Sequence, residues 1–162
     1  MKRDFRPYPP RPPVCTVHGM ADLSTTTPRL ETLSREECFR LLATQAVGRI
    51  GITVQALPAV LPVNFGLLGE SVVFRTIPGT KLDAATNKTV VAFEVDSYEP
   101  DGRSGWSVLV IGEAKKLLDD DVDGAAALEI DAWPLDGQVS HFVHIEGTQI
   151  SGRRLKPRKL PN

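Results

Sequence analysis

The chain has 162 residues, 41% apolar and 24% charged, with a formal net charge of −1. That bounds it to one domain with a real core and to an ordinary globular composition, and it excludes fibrous and low-complexity classes. Two cysteines, Cys15 and Cys38, are too few for a disulfide framework or a zinc site, so a reducing, cytoplasmic setting is expected.

Residues 1–28 hold six of the thirteen prolines and no apolar periodicity, and are expected as a disordered, polyproline-like arm. The basic residues after Met1 precede no apolar h-region, so no secretory signal is read there. No apolar run approaches the length of a membrane span, and no membrane partner is expected. Met20 is a candidate translational start, which intact-mass measurement would test. Charge is uneven: residues 1–27 carry +2, residues 153–162 carry +5, and the body between them carries −8. An acidic body with few aromatic stacking platforms does not suit nucleic acid, and no such partner is expected.

The folded part, expected over 29–156 with a basic tail at 157–162, opens with a helix. Ser34 stands three residues before Glu37, the spacing of a capping box, with Leu33 and Cys38 placed as a hydrophobic staple. Cys38, Leu41 and Leu42 then form an inward stripe at helical spacing, which makes Cys38 a core residue. After residue 48 the period changes to two. Strands are predicted over 49–54, 59–65, 71–76, 89–97, 105–117 and 139–150, with a hairpin at Gly66–Glu70 and a polar loop at 98–104. Short helices are predicted at 80–87 and, behind the acidic start Asp119–Asp121, over 122–130. Six mostly sequential antiparallel strands with short helical insertions predict a mainly β fold, a small closed or split barrel.

The stretch Phe74-Arg-Thr-Ile-Pro-Gly-Thr-Lys-Leu82 carries the most chemistry. A strand ends, Pro78-Gly79 turns the chain, and Thr80 with Asp83 three residues on starts a helix. Arg75, Thr76, the free amides of the helix start and Lys81 would converge on one small volume, which suits a phosphate group. A plain strand-to-helix connection with solvated cations fits the same residues. Pro62 interrupts a strand and therefore belongs at an edge, at a bulge or where the strand faces a ligand. Around it, the backbone of Val63, Asn64 and Phe65 is placed to bond a flat heteroaromatic edge. Gly105-Trp106-Ser107 begins the longest strand, where the indole either stacks on a planar ligand or packs into the core. Of the two arginines in Ser151-Gly-Arg-Arg154, one is free for a cofactor or a subunit interface. His141 and His144 lie three apart on a strand, so they face opposite sides and cannot chelate together; no metal is expected. No G-x-S-x-G elbow is present, and no catalytic residue is assigned.

In order, Val47-Gly-Arg-Ile-Gly, Leu61-Pro-Val-Asn-Phe65, Val73-Phe-Arg-Thr76, Gly79-Thr-Lys-Leu82, Val91-Ala-Phe-Glu-Val-Asp96, Gly105-Trp-Ser-Val-Leu-Val-Ile-Gly-Glu-Ala and Ile150-Ser-Gly-Arg-Arg154 resemble the pyridoxamine 5′-phosphate oxidase-like flavin-binding split-barrel family, in its small bacterial branch. The resemblance covers roughly residues 30–156. It implies a six-stranded antiparallel split barrel that forms a homodimer, with FMN at two sites in the interface. It implies further that Arg75, Thr76 and Lys81 hold the flavin phosphate and that Pro62, Val63, Asn64 and Phe65 run along the ring. Gly105, Trp106 and Ser107 would approach from the partner subunit, and Arg153 is the arginine assigned to the cofactor. The implied activity is hydride transfer between a reduced donor and a small-molecule acceptor. Two alternatives stand beside it: a deazaflavin-dependent reductase on the same fold, and a flavin-binding or stress-related dimer without turnover. The arginine and histidine cluster with which true pyridoxamine phosphate oxidases hold their substrate is not found.

Overall fold

The structure, a computed structural model, describes residues 29–80, 82–83, 86–130 and 140–156. The arm expected at 1–28, the tail at 157–162 and Lys81 lie outside the described residues. In chain order the elements are β1 (Arg29–Thr32), α1 (Arg35–Leu42), β2 (Val47–Val54), β3 (Leu57–Leu68), β4 (Ser71–Thr76), β5 (Thr89–Tyr98), β6 (Gly105–Lys116), α2 (Asp119–Ala126), β7 (His141–Glu146) and β8 (Gln149–Lys156). The helix start at 34 follows the predicted chemistry: Ser34 Oγ accepts from the Glu37 N–H at 3.2 Å, satisfying one of the helix's unpaired amides.

All pairings are antiparallel, and six strands close a ring in the order β6-β5-β2-β3-β4-β7, with β7 returning to β6. The split lies in β6. Its first half, Gly105–Ile111, pairs with β8, while Ala114–Lys116 pairs with β7. Gly112 stands at the change of partner, and a Cβ there would run into the Glu146 carbonyl oxygen. The barrel needs glycine at this seam because two backbones cross in contact.

Two strands depart from the sequence expectation. The predicted strand 139–150 is two strands, β7 and β8, folded back at Gly147-Thr148, where the Thr148 N–H bonds Glu146 O at 2.7 Å. β1, within the stretch before the first predicted helix, adds to the far edge of β8 in the register Glu31↔Arg154.

Inside the ring, Ile50, Phe74, Phe93, Val108 and Val110 are fully buried, each contributing roughly 1.5–3 kcal/mol by leaving water. Phe65 meets Phe93 edge-on at 4.9 Å between centroids, and a side chain at Gly48 would occupy the space of the Phe93 ring. α1 packs its Cys38–Leu42 stripe on this core and is tied to β8 by Arg154 Nη1 and Glu37 Oε1 at 2.5 Å. Burial pushes the Cys38 thiol above its usual range, as expected of an inert core group. A second, smaller cluster lies outside the ring, where Val73 of β4 packs with Leu117, Ala125 and Ile130 under α2. Among the described residues, no helix is long and apolar enough to cross a membrane.

Candidate flavin site

The alternation of β3 decides which of its groups are available. The Phe65 N–H donates to Ala46 O at 3.0 Å, so odd-numbered residues of β3 turn their backbone polar groups toward β2. Even-numbered ones, Pro58, Val60, Pro62 and Asn64, turn theirs to the other edge. β4 covers that edge only from Phe65 to Leu68, which leaves 57–64 open. Pro62 therefore sits on a free edge, one of the placements its ring allows. Val63 and Phe65 are 6% exposed each: their side chains belong to the core and their backbone groups to the β2 ladder. Asn64 and Pro62 alone of this segment face the opening.

Below that edge, Leu61, Pro62, Arg75, Thr76, Ile77, Thr80 and Leu82 line a cleft of about 280 Å³. Thr76 is buried, and its Oγ1 lies 3.2 Å from Thr80 Oγ1. Thr80 donates its hydroxyl hydrogen to Ile77 O at 2.9 Å and accepts from the Asp83 N–H at 3.1 Å. Thr76 must then be the donor between the two threonines, and its hydrogen is the one free to turn toward an incoming acceptor. The turn amides are already used: the Gly79 N–H donates to Asp83 Oδ2 at 2.8 Å and the Thr80 N–H to Ile77 O at 3.3 Å. At the helix start itself, the Asp83 N–H is taken by Thr80 Oγ1. Asp83 thus caps the turn, and of the described side chains the Thr76 hydroxyl and the Arg75 guanidinium are the groups suited to an anion.

Arg75 is fixed from three sides. Nη2 donates to Ser140 Oγ at 2.5 Å, Nη1 to Ile130 O at 3.4 Å, and the guanidinium lies 5.3 Å over the Phe142 ring. Its Nε is the single buried side-chain nitrogen or oxygen without a hydrogen-bond partner among the described residues. A buried N–H left unpaired is costly, and this one belongs to a residue lining the cleft. With Arg75 and the Thr76 hydroxyl among its lining, the cleft has a cationic, hydrogen-bond-donating character that suits a phosphate.

Gly105, Trp106, Ser107 and Arg153 are placed elsewhere in the protomer. Ser107 and Arg153 are direct register partners and, with Glu94, Val108, Leu109, Ser151 and Gly152, line a cleft of about 300 Å³ on the outer face of β5, β6 and β8. Trp106 lies on the inward side of β6, packed against the core. A Cβ at Gly105 would meet Tyr98. Arg154 holds α1, whereas Arg153 is exposed and makes no ion pair among the described residues. Burial and the neighbouring Asp96 push the Glu94 carboxyl above its usual range, with Arg49 opposing. His141 and His144 fall on opposite faces of β7, and His141 Nε2 instead meets Asp83 Oδ1 at 3.0 Å.

Sequence reasoning missed Leu61, Ile77, Leu82, Ser140 and Glu94. Leu61 and Leu82 flank residues that were singled out, so alternation could have supplied them. Ser140 and Glu94 reach their positions only through cross-strand register, which no local pattern encodes.

The comparisons agree with this architecture. Residues 34–154 match the family described as Pyridoxamine 5′-phosphate oxidase. An uncharacterized protein of Mycobacterium tuberculosis is 39% identical over 128 residues, covering 76% of this chain and 84% of that one. The solved structure of an FAD binding protein from Mycobacterium smegmatis is similar at 35% identity and a TM-score of 0.67, covering 82% of this chain and 99% of that one. An FAD-binding protein from Mesorhizobium loti, at 24% identity with a TM-score of 0.65 over 80% of this chain and 99% of that one, supports the fold alone. With the ring closure, the seam in β6 and the matched span in hand, the chain belongs to the pyridoxamine 5′-phosphate oxidase-like family of split barrels.

Proposed function

We propose that the protein is a flavin-dependent oxidoreductase that holds a flavin nucleotide in the cleft between the free edge of β3 and the Thr76–Thr80 turn. The observation that carries this reading is a cleft lined both by Arg75, whose buried Nε has no partner, and by Thr76 with its redirectable hydroxyl. The likeness to an FAD binding protein at 35% identity supports a flavin over other phosphate-bearing ligands. FMN, expected from the sequence, and FAD share the ring, the ribityl chain and the first phosphate, so this cleft serves either.

The bound flavin supplies the hydride chemistry. The chain's own residues bind, orient and shield it. Arg75 presents a fixed cation, with Lys81 the second cation of the turn. Thr76 gives a hydroxyl hydrogen, and the edge groups of Pro62 and Asn64 face the ring. Leu61, Ile77 and Leu82 exclude water. The second half of the site comes from another copy of the chain: Ser107 and Arg153 line a cleft that Arg75 and Thr76 do not share. The outer face offers a surface for that copy. Val60, Gly51, Ala92 and Ile111 run across β3, β2, β5 and β6 as one row of apolar residues, with Val60 67% exposed.

The test is an absorbance titration of the purified protein with FAD, FMN and a deazaflavin, followed by oxidation of NADH, NADPH or reduced deazaflavin. Arg75→Ala combined with Lys81→Ala is expected to abolish flavin retention in a folded protein. Retained yellow colour would overturn the site. Uptake of the deazaflavin alone would move the cofactor to that alternative, and binding without donor oxidation would reduce the enzyme to a flavin-binding dimer.

A further inference from the structure

His141 faces away from His144, and what it meets instead is the turn at the Thr76 cleft. Its Nε2 lies 3.0 Å from Asp83 Oδ1. The other carboxylate oxygen, Asp83 Oδ2, accepts from the Gly79 N–H at 2.8 Å, and the Asp83 N–H donates to Thr80 Oγ1 at 3.1 Å. Thr80 Oγ1 in turn lies 3.2 Å from Thr76 Oγ1. Thr76 and His141 are themselves direct partners in the β4–β7 ladder. The contacts therefore close a loop: from Thr76 through Thr80 to Asp83, and back through His141 to the strand beside Thr76.

The members of this loop have different parts. Thr76 and Thr80 line the Thr76 cleft, whereas Asp83 and His141 line another of about 280 Å³, and the two clefts have no lining residue in common. His141 is no wall of the first cleft and acts on it only through what it holds. Among the described residues it is the one side chain that meets the Asp83 carboxylate. The other bonds of Asp83, to Gly79, Thr80 and Thr86, all stay within four residues of it. Local bonds of that kind shape a turn but do not fix where it sits on the sheet; a contact from a neighbouring strand does.

Resting on the flavin reading above, we infer that His141 is a positioning residue for the phosphate end of that site. Through Asp83 it fixes the Gly79-Thr80 turn on the β4–β7 ladder, and with the turn the Thr80 oxygen to which the Thr76 hydroxyl is bonded. The flavin phosphate then meets a donor already in place, because the ordering is done on folding rather than on binding. Without the imidazole, Asp83 still caps Gly79, but the turn is free to shift on the sheet, and affinity for the phosphate falls.

The experiment is a double-mutant cycle on FMN affinity, read by calorimetric titration of the full-length protein freed of any bound flavin. It compares wild type, His141→Ala, Asp83→Ala and the two combined, with His141→Gln as the conservative variant. His141→Ala is expected to weaken FMN about fivefold or more, the usual worth of one polar contact. His141→Gln, which keeps a donor at the reach of Nε2, should recover most of that. In the Asp83→Ala background, removing His141 should change the affinity by less than about twofold, because the link it acts through is already gone. If alanine unsettles β7, His141→Phe fills the space without donating and should weaken FMN as alanine would. A loss that recurs in full without Asp83, or that glutamine does not relieve, overturns the inference and makes the imidazole mere bulk. FMN affinity unchanged by His141→Ala or His141→Phe also overturns it, and leaves the flavin site standing. Failure of the wild type to take up FMN or FAD overturns the flavin reading itself, and this inference with it.

Discussion

The Thr76 cleft and the Arg153 cleft are built from similar residue types but are finished to different degrees. In the first, Thr76, Thr80, Asp83 and Gly79 bond one another, and Arg75 is held on three sides, by Ser140, Ile130 and Phe142, with its Nε unpaired. In the second, Ser107 and Arg153 make no side-chain bond among the described residues, and Glu94 meets only Arg49, at 3.4 Å. A polar group ordered by its own chain is pre-organised for a ligand. One left open on a flat sheet face is suited to being completed by another molecule. The contrast separates the part of a binding site that a protomer builds alone from the part it contributes to a neighbour.

The strongest way to break the comparison is to remove the barrel that carries both clefts. Gly112→Val pushes a side chain into Glu146 O at the seam of β6 and is expected to cost about 3 kcal/mol or more, read as a lowered midpoint in chemical denaturation. A wild-type midpoint would mean the seam relaxes and the closure is soft. Next comes complementation. Arg75→Ala and Arg153→Ala should each weaken flavin binding about tenfold or more, while an equal mixture allowed to exchange subunits should regain about a quarter of the sites. No recovery would place both arginines on the same half-site or on none.

A smaller effect is expected of Thr80→Ala, which removes the cap on the Asp83 N–H and the partner of Thr76. Loss of an N-cap costs about 1 kcal/mol, and the freed Thr76 hydroxyl should leave flavin affinity reduced by less than Arg75→Ala does. The smallest concerns the second cleft. Because the Glu94 carboxyl is held above its usual range in the folded chain, the fold binds that proton more tightly than the unfolded chain does. The associated stability is fully present in acid and is lost as pH rises through the folded value. Glu94→Gln should therefore be slightly more stable than wild type near neutrality, by a few tenths of a kcal/mol given its partial exposure. The difference should vanish below pH ~4. Denaturation midpoints at the two pH values decide it, and a Glu94→Gln deficit at neutrality would mean the Arg49 ion pair outweighs burial.

Where structure follows from neighbouring residues, the chain was legible. The Ser34 cap, the hairpin at Gly69, the edge placement of Pro62 and the Thr80–Asp83 helix start all rest on contacts within four residues or on alternation. The misread features depend on pairing between distant strands. Residues 139–150 read as one strand because a single glycine, Gly147, with no proline or asparagine beside it, is too weak a signal for the turn at Gly147-Thr148. β1 has four residues and no alternation of its own; only its ladder with β8 makes it a strand. For the same reason Arg75 was found from sequence but Ser140, which fixes it, was not. The alternation of β3 was read correctly, yet only the ladder with β2 shows that Val63 and Phe65 spend their polar groups internally.

The outward edge of β3 has one more consequence. Between Leu57 and Asn64 it shows carbonyl oxygens at residues 58, 60, 62 and 64, but Pro58 and Pro62 withhold every second N–H. A neighbouring strand needs both halves of that pattern to zip onto an edge, whereas a small molecule needs only one or two of its acceptors. The protein can thus keep an apolar edge open in water, with Leu57 70% exposed, without inviting its own kind to polymerise along it.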